Sequence, residues 1–345
     1  MNAARLGTVI GLELRQRVRS VAWYVMLGIF AAILLLVTAL AFAAFSLTTG
    51  GGPWLFSLLV FLVLLLVVLV SPTFSGSAVN GDRDAATLAP LQVTLVTTAE
   101  IIVGKFLAAW ITGLAFLAVA LPFLLVATAA GGLGPLTALT SLAVLIVEVG
   151  VVAAIGVGFS AVLARPLFSV ASTYLVVAAL TIGTVIAFGL GGTALRTEVT
   201  TTERYPTGAT ASGTACGPWQ ESTYDMPRFD RVWWVLAANP FVIMADATPT
   251  EFNVAGYPED LFGQIAFGVR SAQIVPETDR RADYCDPDSF TGSNSPTASE
   301  VMAETTPSWF IGLLLQFALA AGLLLWGWAR TRTPAKALPP GTRIA

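Results

Sequence analysis

Long blocks of apolar residues constrain the fold of this chain more than any other feature of its sequence. A helix needs about 20 mostly apolar residues to cross the hydrocarbon core of a bilayer. Only helices and closed barrels satisfy their backbone polar groups in lipid, and unbroken apolar runs lack the alternation of barrel strands. The sequence therefore predicts six transmembrane helices, at residues 21–45, 54–71, 106–130, 139–163, 167–192 and 308–329.

Charged residues are too scarce for a water-soluble protein of this size. They make up 11% of the 345 residues, whereas soluble domains contain about 25%. We therefore assign the fold class as an all-α polytopic membrane protein.

The positions of the basic residues predict the orientation in the membrane. Lys and Arg are enriched in short cytoplasmic segments, whereas long loops are translocated largely regardless of charge. The turns 46–53 and 131–138 contain no Lys or Arg, and the long segment 193–307 contains seven against sixteen Asp and Glu. The other eleven lie in a set of segments that we expect to be cytoplasmic: 1–20, 72–105, 164–166 and 330–345. We expect a plasma-membrane protein with both termini in the cytoplasm and segment 193–307 outside.

Within the outer segment, residues 231–247 are apolar enough to suggest a seventh span, which would place the C-terminus outside. Asn239-Pro240 interrupts this stretch, and proline disfavours helix at the preceding residue. We interpret it as an interfacial or re-entrant helix. Residues 258–274 have the pattern of a short amphipathic helix, and the polar stretches 196–230 and 276–307 read as irregular.

Both cysteines, Cys216 and Cys285, fall in this outer segment. Outside the cell they could form a disulfide or remain two free thiols, and we favour the disulfide because exposed thiols are reactive there. We expect no metal site, because the chain has no histidine and two sulfurs fall short of the usual four ligands.

The sequence offers no constellation for catalysis. The absence of histidine removes the commonest general base. No phosphate-binding loop is present, since Gly104-Lys105 lacks the earlier glycine and is followed by Phe106. We therefore expect no enzymatic activity, no cofactor and no nucleic-acid partner for this chain, and ATP hydrolysis only in a partner.

One ionisable residue, Glu148, falls near the middle of a predicted span. Such residues are costly in lipid and usually face an interior or a cavity. Two interpretations stay open: a carboxyl that contacts a substrate or a proton, and a protonated or hydrogen-bonded side chain packed against a neighbouring helix. Gln316 in the last span fits a hydrogen bond between helices.

Two segments on the expected cytoplasmic side carry the most specific patterns. The first is the N-terminal helix, where Glu13 and Arg17 are spaced to pair and the apolar residues recur every four positions, although a plain basic flank would also explain its arginines. The second follows the second span and reads Gly81-Asp82-Arg83-Asp84-Ala85-Ala86-Thr87-Leu88, then Thr94, then Glu100-Ile101-Ile102-Val103-Gly104-Lys105.

The second segment resembles the loop of ABC-2-type transporter permeases, whose pattern is roughly G-E-R-E-x-G-T-L-E, then T-P and E-I-x-x-G-K. Asp82, Arg83 and Asp84 take the acid–base–acid triplet, and Ala86 replaces the glycine. Thr87-Leu88, Glu100 and Gly104-Lys105 take the remaining positions. A basic Glu-Leu-Arg helix and six spans extend the resemblance over the whole chain in outline.

The resemblance implies the permease subunit of an ATP-binding-cassette exporter. It would pair with a second copy or a related permease and bind two ATPase subunits, which carry ATP and Mg. The implied coupling residues are Glu13, Arg17, Asp82, Arg83, Asp84, Thr87, Leu88, Glu100 and Lys105. A solvated helix start is the alternative explanation of the acidic triplet, and we favour coupling because of the combined match. Two other functions stay open: a non-transporting membrane scaffold or sensing protein, and an ion-coupled carrier that uses Glu148.

Overall fold

The computed structural model describes residues 2–45, 51–86, 96–130, 132–210, 213–286 and 296–332. Within these residues, six helical segments are long and apolar enough to cross a membrane. The chain is therefore a multi-pass membrane protein. The six spans are Val21–Ala44, Gly52–Asp84, Thr98–Ala129, Pro135–Val162, Pro166–Ala194 and Trp309–Thr331.

Every regular element described before residue 195 is a helix. Helix α1 precedes the spans, and the second and fifth spans are each built from more than one helical element. A π-helix, Ala179–Gly183, lies inside the fifth span. The helices are α1 (Ala3–Val18), α2 (Val21–Phe45), α3 (Gly52–Ser75), α4 (Asn80–Asp84), α5 (Thr98–Ala129), α6 (Pro135–Val162), α7 (Pro166–Ala178) and α8 (Thr184–Ala194).

Between the fifth and sixth spans lies a mixed region of strands and short helices. The strands are β1 (Arg196–Arg204), β2 (Pro206–Thr210), β3 (Gly213–Cys216), β4 (Gln220–Pro227) and β5 (Asp279–Asp283). The helices are α9 (Trp233–Ala237), α10 (Pro240–Ala247), α11 (Leu261–Ser271) and α12 (Ala298–Glu304), and α13 (Trp309–Thr331) is the last span. We call this side of the bundle the sheet end and the opposite side the α1 end.

The strands correct the expectation that residues 196–230 and 276–307 are irregular. Strand β1 pairs antiparallel with β4 and parallel with β5, while β2 and β3 form a hairpin. Val199 and Thr201 are buried on one face of β1, and the run of β-branched residues from Val199 to Thr202 is the strand signal in the sequence. Composition alone suggested a loop because threonine and glycine are common there.

The cysteine pair and the short helices agree with the sequence. Cys216 and Cys285 are disulfide-bonded, with Cα atoms 6.0 Å apart. Helix α11 lies inside the predicted amphipathic stretch 258–274. The stretch 231–247 forms two helices, α9 and α10, with Asn239 as the N-cap of α10. The Asn-Pro pair therefore interrupts the helix at the expected place.

The core of the bundle is formed by α3, α5 and α6. Their side chains interleave around residues that are almost completely buried, including Leu59, Leu64, Phe116 and Leu145. Helix α13 packs along α6 and also against the break between α9 and α10. The contact at Gly312 is so close that a Cβ atom would lie 1.9 Å from the Ala237 carbonyl oxygen. Glycine is therefore required where α13 passes this break.

The structure also differs from the expected loop 72–105. Helix α3 continues to Ser75, α4 covers residues 80–84, and α5 begins at Thr98. Both flanks of the expected loop are thus helical in the described residues, and Lys105 lies inside a helix. Charges normally mark the end of a span, but here they neutralise one another within the helices.

Candidate functional site

A cluster of buried charges joins three helices at the α1 end. Lys105 of α5 is 1% exposed, and its ammonium group donates to the Glu13 carboxylate of α1. The same nitrogen lies 2.6 Å from Asp82 Oδ2 of α4. One cation thus binds two acids from helices on either side of it. We call Glu13, Lys105 and Asp82 the lysine clamp.

Arg17 adds a second cation beside the clamp. Its Nη1 donates to Thr112 Oγ1 over 2.8 Å and its Nη2 to the Phe74 carbonyl over 2.9 Å, and the guanidinium also stacks over the Phe74 ring. Burial lowers the pKa of Arg17, and the nearby Glu13 carboxylate opposes that shift. Two carboxylates and two cations therefore share this site, and the buried cluster that they form carries no net charge.

The start of α5 is fixed by a capping box and by α1. Thr97 accepts from the Glu100 amide, and the Glu100 carboxylate accepts from the Thr97 amide. The other Glu100 oxygen accepts from the Asn2 amide over 2.6 Å. A Cβ at Gly104 would lie 2.7 Å from Val9 Cγ1 of α1. Contacts made by Glu100, Gly104 and Lys105 thus hold α1 against α5.

Helix α4 is also anchored to the end of α6. Ser160 accepts from the backbone amides of Val79 and Asn80 over 2.8 and 3.1 Å, and its hydroxyl donates to Asn80 Oδ1. Asn80 is completely buried and also donates to the Leu163 carbonyl. These bonds satisfy the start of a short helix that lacks a stable length of its own.

The predicted coupling residues therefore fall into three groups. Glu13, Arg17, Glu100, Lys105 and Asp82 are engaged in contacts within the chain. Arg83 is half-buried and Asp84 is exposed at the end of α4. Thr87 and Leu88 lie outside the described residues. Among the described residues of the motif, Arg83 and Asp84 are thus the ones that reach the surface.

Ala86 ends the described chain after α4 with φ of +55°. It is the one residue other than glycine with positive φ in the described ranges. This left-handed conformation is unfavourable for L-residues and favours glycine. Alanine stands here where the resembled loop has glycine.

Two of the cavities that border the described helices differ in polarity. A polar cleft of about 310 Å³ lies between α1, the end of α3 and α4, where Glu13, Arg17, Ser77 and Asp82 line it. An apolar cavity of about 670 Å³ lies nearer the sheet end, between α3, the fifth span and α10. The second cavity is polar chiefly at its Asn239, Tyr174 and Thr181 side chains, so it suits an apolar group.

The π-helix of the fifth span meets the helix break between α9 and α10. Asn239 Nδ2 donates to the Thr181 carbonyl over 2.7 Å and to Thr184 Oγ1 over 2.9 Å. Irregular helices leave carbonyls free, and here one side chain occupies them. Nothing in the local sequence around Thr181 indicates a π-helix, and the Asn-Pro pair was the only signal of this junction.

At the sheet end, a buried ion pair holds the start of α13. Asp246 accepts from Arg270 Nε over 2.6 Å and from the Ser308 hydroxyl and the Trp309 amide. Arg270 also donates to the Met302 carbonyl. This network connects α10, α11 and α13, and no pattern in the sequence indicates that these residues meet.

Asp260, the N-cap of α11, is a perturbed acid at the same end. Burial raises the pKa of Asp260 to about 6, and the neighbouring Glu251 and Glu259 carboxylates raise it further, whereas a hydrogen bond from the Gly263 amide lowers it. Its charged form is therefore disfavoured in the folded chain.

Glu148 and Gln316 lie on facing helices inside the bundle. Both side chains are almost fully buried, Glu148 on α6 and Gln316 on α13. Gln316 Nε2 donates to the Ala238 carbonyl over 3.1 Å. The expected hydrogen bond of Gln316 to another element is therefore present, and its partner is backbone at the helix break.

Comparison with known proteins adds no relative to these observations. No protein-family model matches the sequence, and no curated protein is significantly similar to it.

Proposed function

We propose that this chain is the membrane-spanning permease subunit of an ATP-driven exporter. It pairs with a second copy or a related permease, and two copies of a separate ATPase subunit bind at the α1 end. The chain contains no phosphate-binding loop and no histidine, so the energy for transport comes from the partner, which holds ATP and Mg.

The lysine clamp is the observation that carries this proposal. A charge cluster buried in this way is costly unless each charge is paired. Here the pairing fixes three helices, α1, α4 and α5, against one another. A surface that receives a force needs a rigid base, and the clamp with the Asn80–Ser160 bonds gives α4 such a base.

Arg83 and Asp84 are the residues that contact the ATPase in this proposal. They lie at the exposed end of α4, next to the connection that continues to Thr98. Charges at such a contact set orientation and register more than affinity. The clamp residues act indirectly, by holding α4 in position. This division revises the expectation that the whole motif touches the partner.

The conformation of Ala86 supports the same assignment. The resembled loop has glycine at this position, and the left-handed backbone at Ala86 is one that glycine adopts without strain. Ala86 adopts this left-handed conformation although it is not a glycine. A left-handed residue commonly follows the end of a helix, so this conformation supports the assignment only together with the rest of the motif.

The α1 end is cytoplasmic in this proposal. The basic residues of α1 and the scarcity of basic residues in the turns at the sheet end support that orientation. A disulfide at the sheet end fits an oxidising exterior. The direction is export, because the resembled family consists of exporters and the sheet end offers no evident capture domain in its described residues.

The proposal is tested by purifying the tagged chain from its native membranes in mild detergent. We expect a co-purified ATPase with a phosphate-binding loop, identified by mass spectrometry, and vanadate-sensitive ATP hydrolysis. A stable particle that never contains such a partner would overturn the proposal and favour the scaffold alternative.

A charge reversal tests the contact itself. The double variant R83E/D84R should lose the ATPase while the permease stays folded. The matched control is E221R/R280E, which reverses two exposed charges at the sheet end and should keep the ATPase. Equal co-purification and hydrolysis in both variants would refute the assignment of Arg83 and Asp84.

A further inference from the structure

The apolar cavity between α3, the fifth span and α10 lies deep within the membrane-spanning bundle. On α3 it is lined by residues between Leu65 and Leu69, and on the fifth span by residues between Tyr174 and Val185. Both stretches lie well inside their spans, Gly52–Asp84 and Pro166–Ala194. At this depth the surrounding medium is the hydrocarbon of the lipid tails and not water.

The wall of this cavity offers no free hydrogen-bonding group. Its polar side chains are those of Tyr174, Thr181 and Asn239. The Tyr174 hydroxyl donates to the Leu69 carbonyl over 2.7 Å, and Thr181 Oγ1 donates to the Val177 carbonyl over 2.9 Å. The Asn239 amide is bonded within the junction described above. Among the described residues, no charged side chain lines the cavity. A polar ligand would lose its hydrogen bonds to water here without replacing them, so the wall favours a hydrocarbon.

The size of the cavity fits one lipid tail. Its volume of about 670 Å³ lies within the range of about 300–1,000 Å³ that is typical of ligand sites. Along the fifth span it extends from Tyr174 to Val185, which is about 16 Å at a rise of about 1.5 Å per residue. One leaflet of a hydrocarbon core about 30 Å thick is about 15 Å deep. The cavity is therefore about as long as an acyl chain that crosses one leaflet.

The cavity is continuous with the lipid-facing surface of the spans. Leu69, Ile182 and Val185 line it and are exposed, whereas Val68 and Val177 line it and are buried. A lipid tail can therefore enter from the side and reach buried side chains that the lipid around the bundle does not contact. A cavity left empty would lose van der Waals contacts along its wall, and hydrocarbon is the material at hand to fill it.

We propose that this cavity binds one acyl chain of a membrane phospholipid. The acyl chain lies along the fifth span between α3 and α10. The headgroup stays outside the cavity, whose described residues offer it no charged or unbonded polar side chain. The bound chain packs against Ile182 of the π-helix and against Phe241 of α10. It thus supports the junction between the fifth span and the break between α9 and α10. This inference goes beyond the proposed function and does not depend on it.

Photolabelling of the purified full chain tests the proposal. The chain is reconstituted in detergent-free nanodiscs of phosphatidylcholine, part of which carries a diazirine in its acyl chain, and is then irradiated. Mass spectrometry of its peptides should find label at the buried positions Val68 and Val177. A178F places a ring in the cavity from an exposed lining position and should lose this label. L175F changes an exposed side chain of the same helix that does not line the cavity, so it is the matched control and should keep the label.

The fold and the other possible occupants are controlled in the same system. A178F and L175F should both unfold at midpoints close to that of the wild type, which separates loss of the lipid from loss of the fold. Should A178F not fold, the distribution of label in the wild type decides alone. Wild-type label confined to exposed side chains such as Ile182 would overturn the proposal and leave only ordinary boundary lipid. Equal label at Val68 and Val177 in A178F and L175F would also overturn it.

A second copy of the chain is the competing occupant of the cavity. It would bring two copies of the exposed lining residue Ile182 close together. The variant I182C would then form a disulfide-linked dimer on mild oxidation, and the buried positions would carry no label. That pair of results would overturn the proposal in favour of an interface between copies.

Discussion

Replacing Lys105 with methionine tests the lysine clamp most directly. Methionine keeps much of the length and apolar volume of lysine, so the packing of the 1%-exposed side chain changes little. The change leaves Glu13 and Asp82 without their shared cation. Breaking a buried ion pair by removing one partner costs about 3–5 kcal/mol.

The expected cost lies at the lower end of that range. The side chains of Glu13 and Asp82 are 15% and 23% exposed, so water partly solvates the carboxylates that remain. We expect a loss of about 3 kcal/mol in the free energy of unfolding, which is about a hundredfold in the equilibrium constant. Because α1 is bound through Glu13, trypsin should also cleave within α1 sooner.

The measurement is a denaturant titration of the detergent-solubilised chain, followed by tryptophan fluorescence. Neutralising the acids as well, in the triple variant E13Q/D82N/K105M, should recover most of the lost stability, because no unpaired charge remains. A K105M midpoint equal to that of the wild type would refute the clamp. A triple variant no more stable than K105M would show that lost packing, and not charge, causes the effect.

Three further changes probe other parts of the fold. G312A should destabilise the chain by about 1–3 kcal/mol or more, because the new methyl group meets the carbonyl at the helix break. G322A, on the same helix, has open space and should be neutral or slightly stabilising. D246N should cost about 3 kcal/mol, because the buried arginine beside it loses its counter-ion. The raised pKa of Asp260 contributes stability at low pH that is lost as the pH rises through about 6. D260N should remove this dependence in unfolding midpoints measured from about pH 4 to about pH 8.

For each of these predictions, one result would contradict it. Equal midpoints for G312A and G322A would mean that α13 is free to shift at the break. E277Q, which changes an exposed acid, is the control for D246N, because surface substitutions change the stability by no more than about 0.5 kcal/mol. Equal losses of stability in the two variants would show that the buried ion pair does not stabilise the fold. A D260N chain whose midpoint still falls between about pH 4 and about pH 6 would assign the pH dependence to another group.

The number of membrane-spanning helices could be predicted from the sequence. Bilayer thickness fixes the length of an apolar helix, so six blocks of apolar residues predict six spans. The ends of the spans were harder, because Asp82 and Lys105 look like loop residues until their pairing is known. Long-range contacts such as Asn2 with Glu100 leave no periodic pattern in the sequence.

Some missed features did have a signal in the sequence. Thr97-x-x-Glu100 and Thr297-x-x-Glu300 both match the capping-box pattern, and both start a helix. The consecutive β-branched residues of β1 predict a strand more directly than their polarity predicts a loop. The π-helix and the carbonyl at Ala238 have no local signature, because their partners come from distant parts of the chain.

In the proposed permease, the continuity of α6 determines how a displacement of α4 would be transmitted through the bundle. This helix has 28 residues and no internal proline, so it is a stiff rod of about 42 Å. Its neighbours α3 and α5 each contain a proline, where a helix can bend. Ser160 at one end of α6 is bonded to α4, and Glu148 lies about 18 Å further along. A tilt imposed at α4 would therefore reach the middle of α6 through a single helix, without passing through any flexible connection.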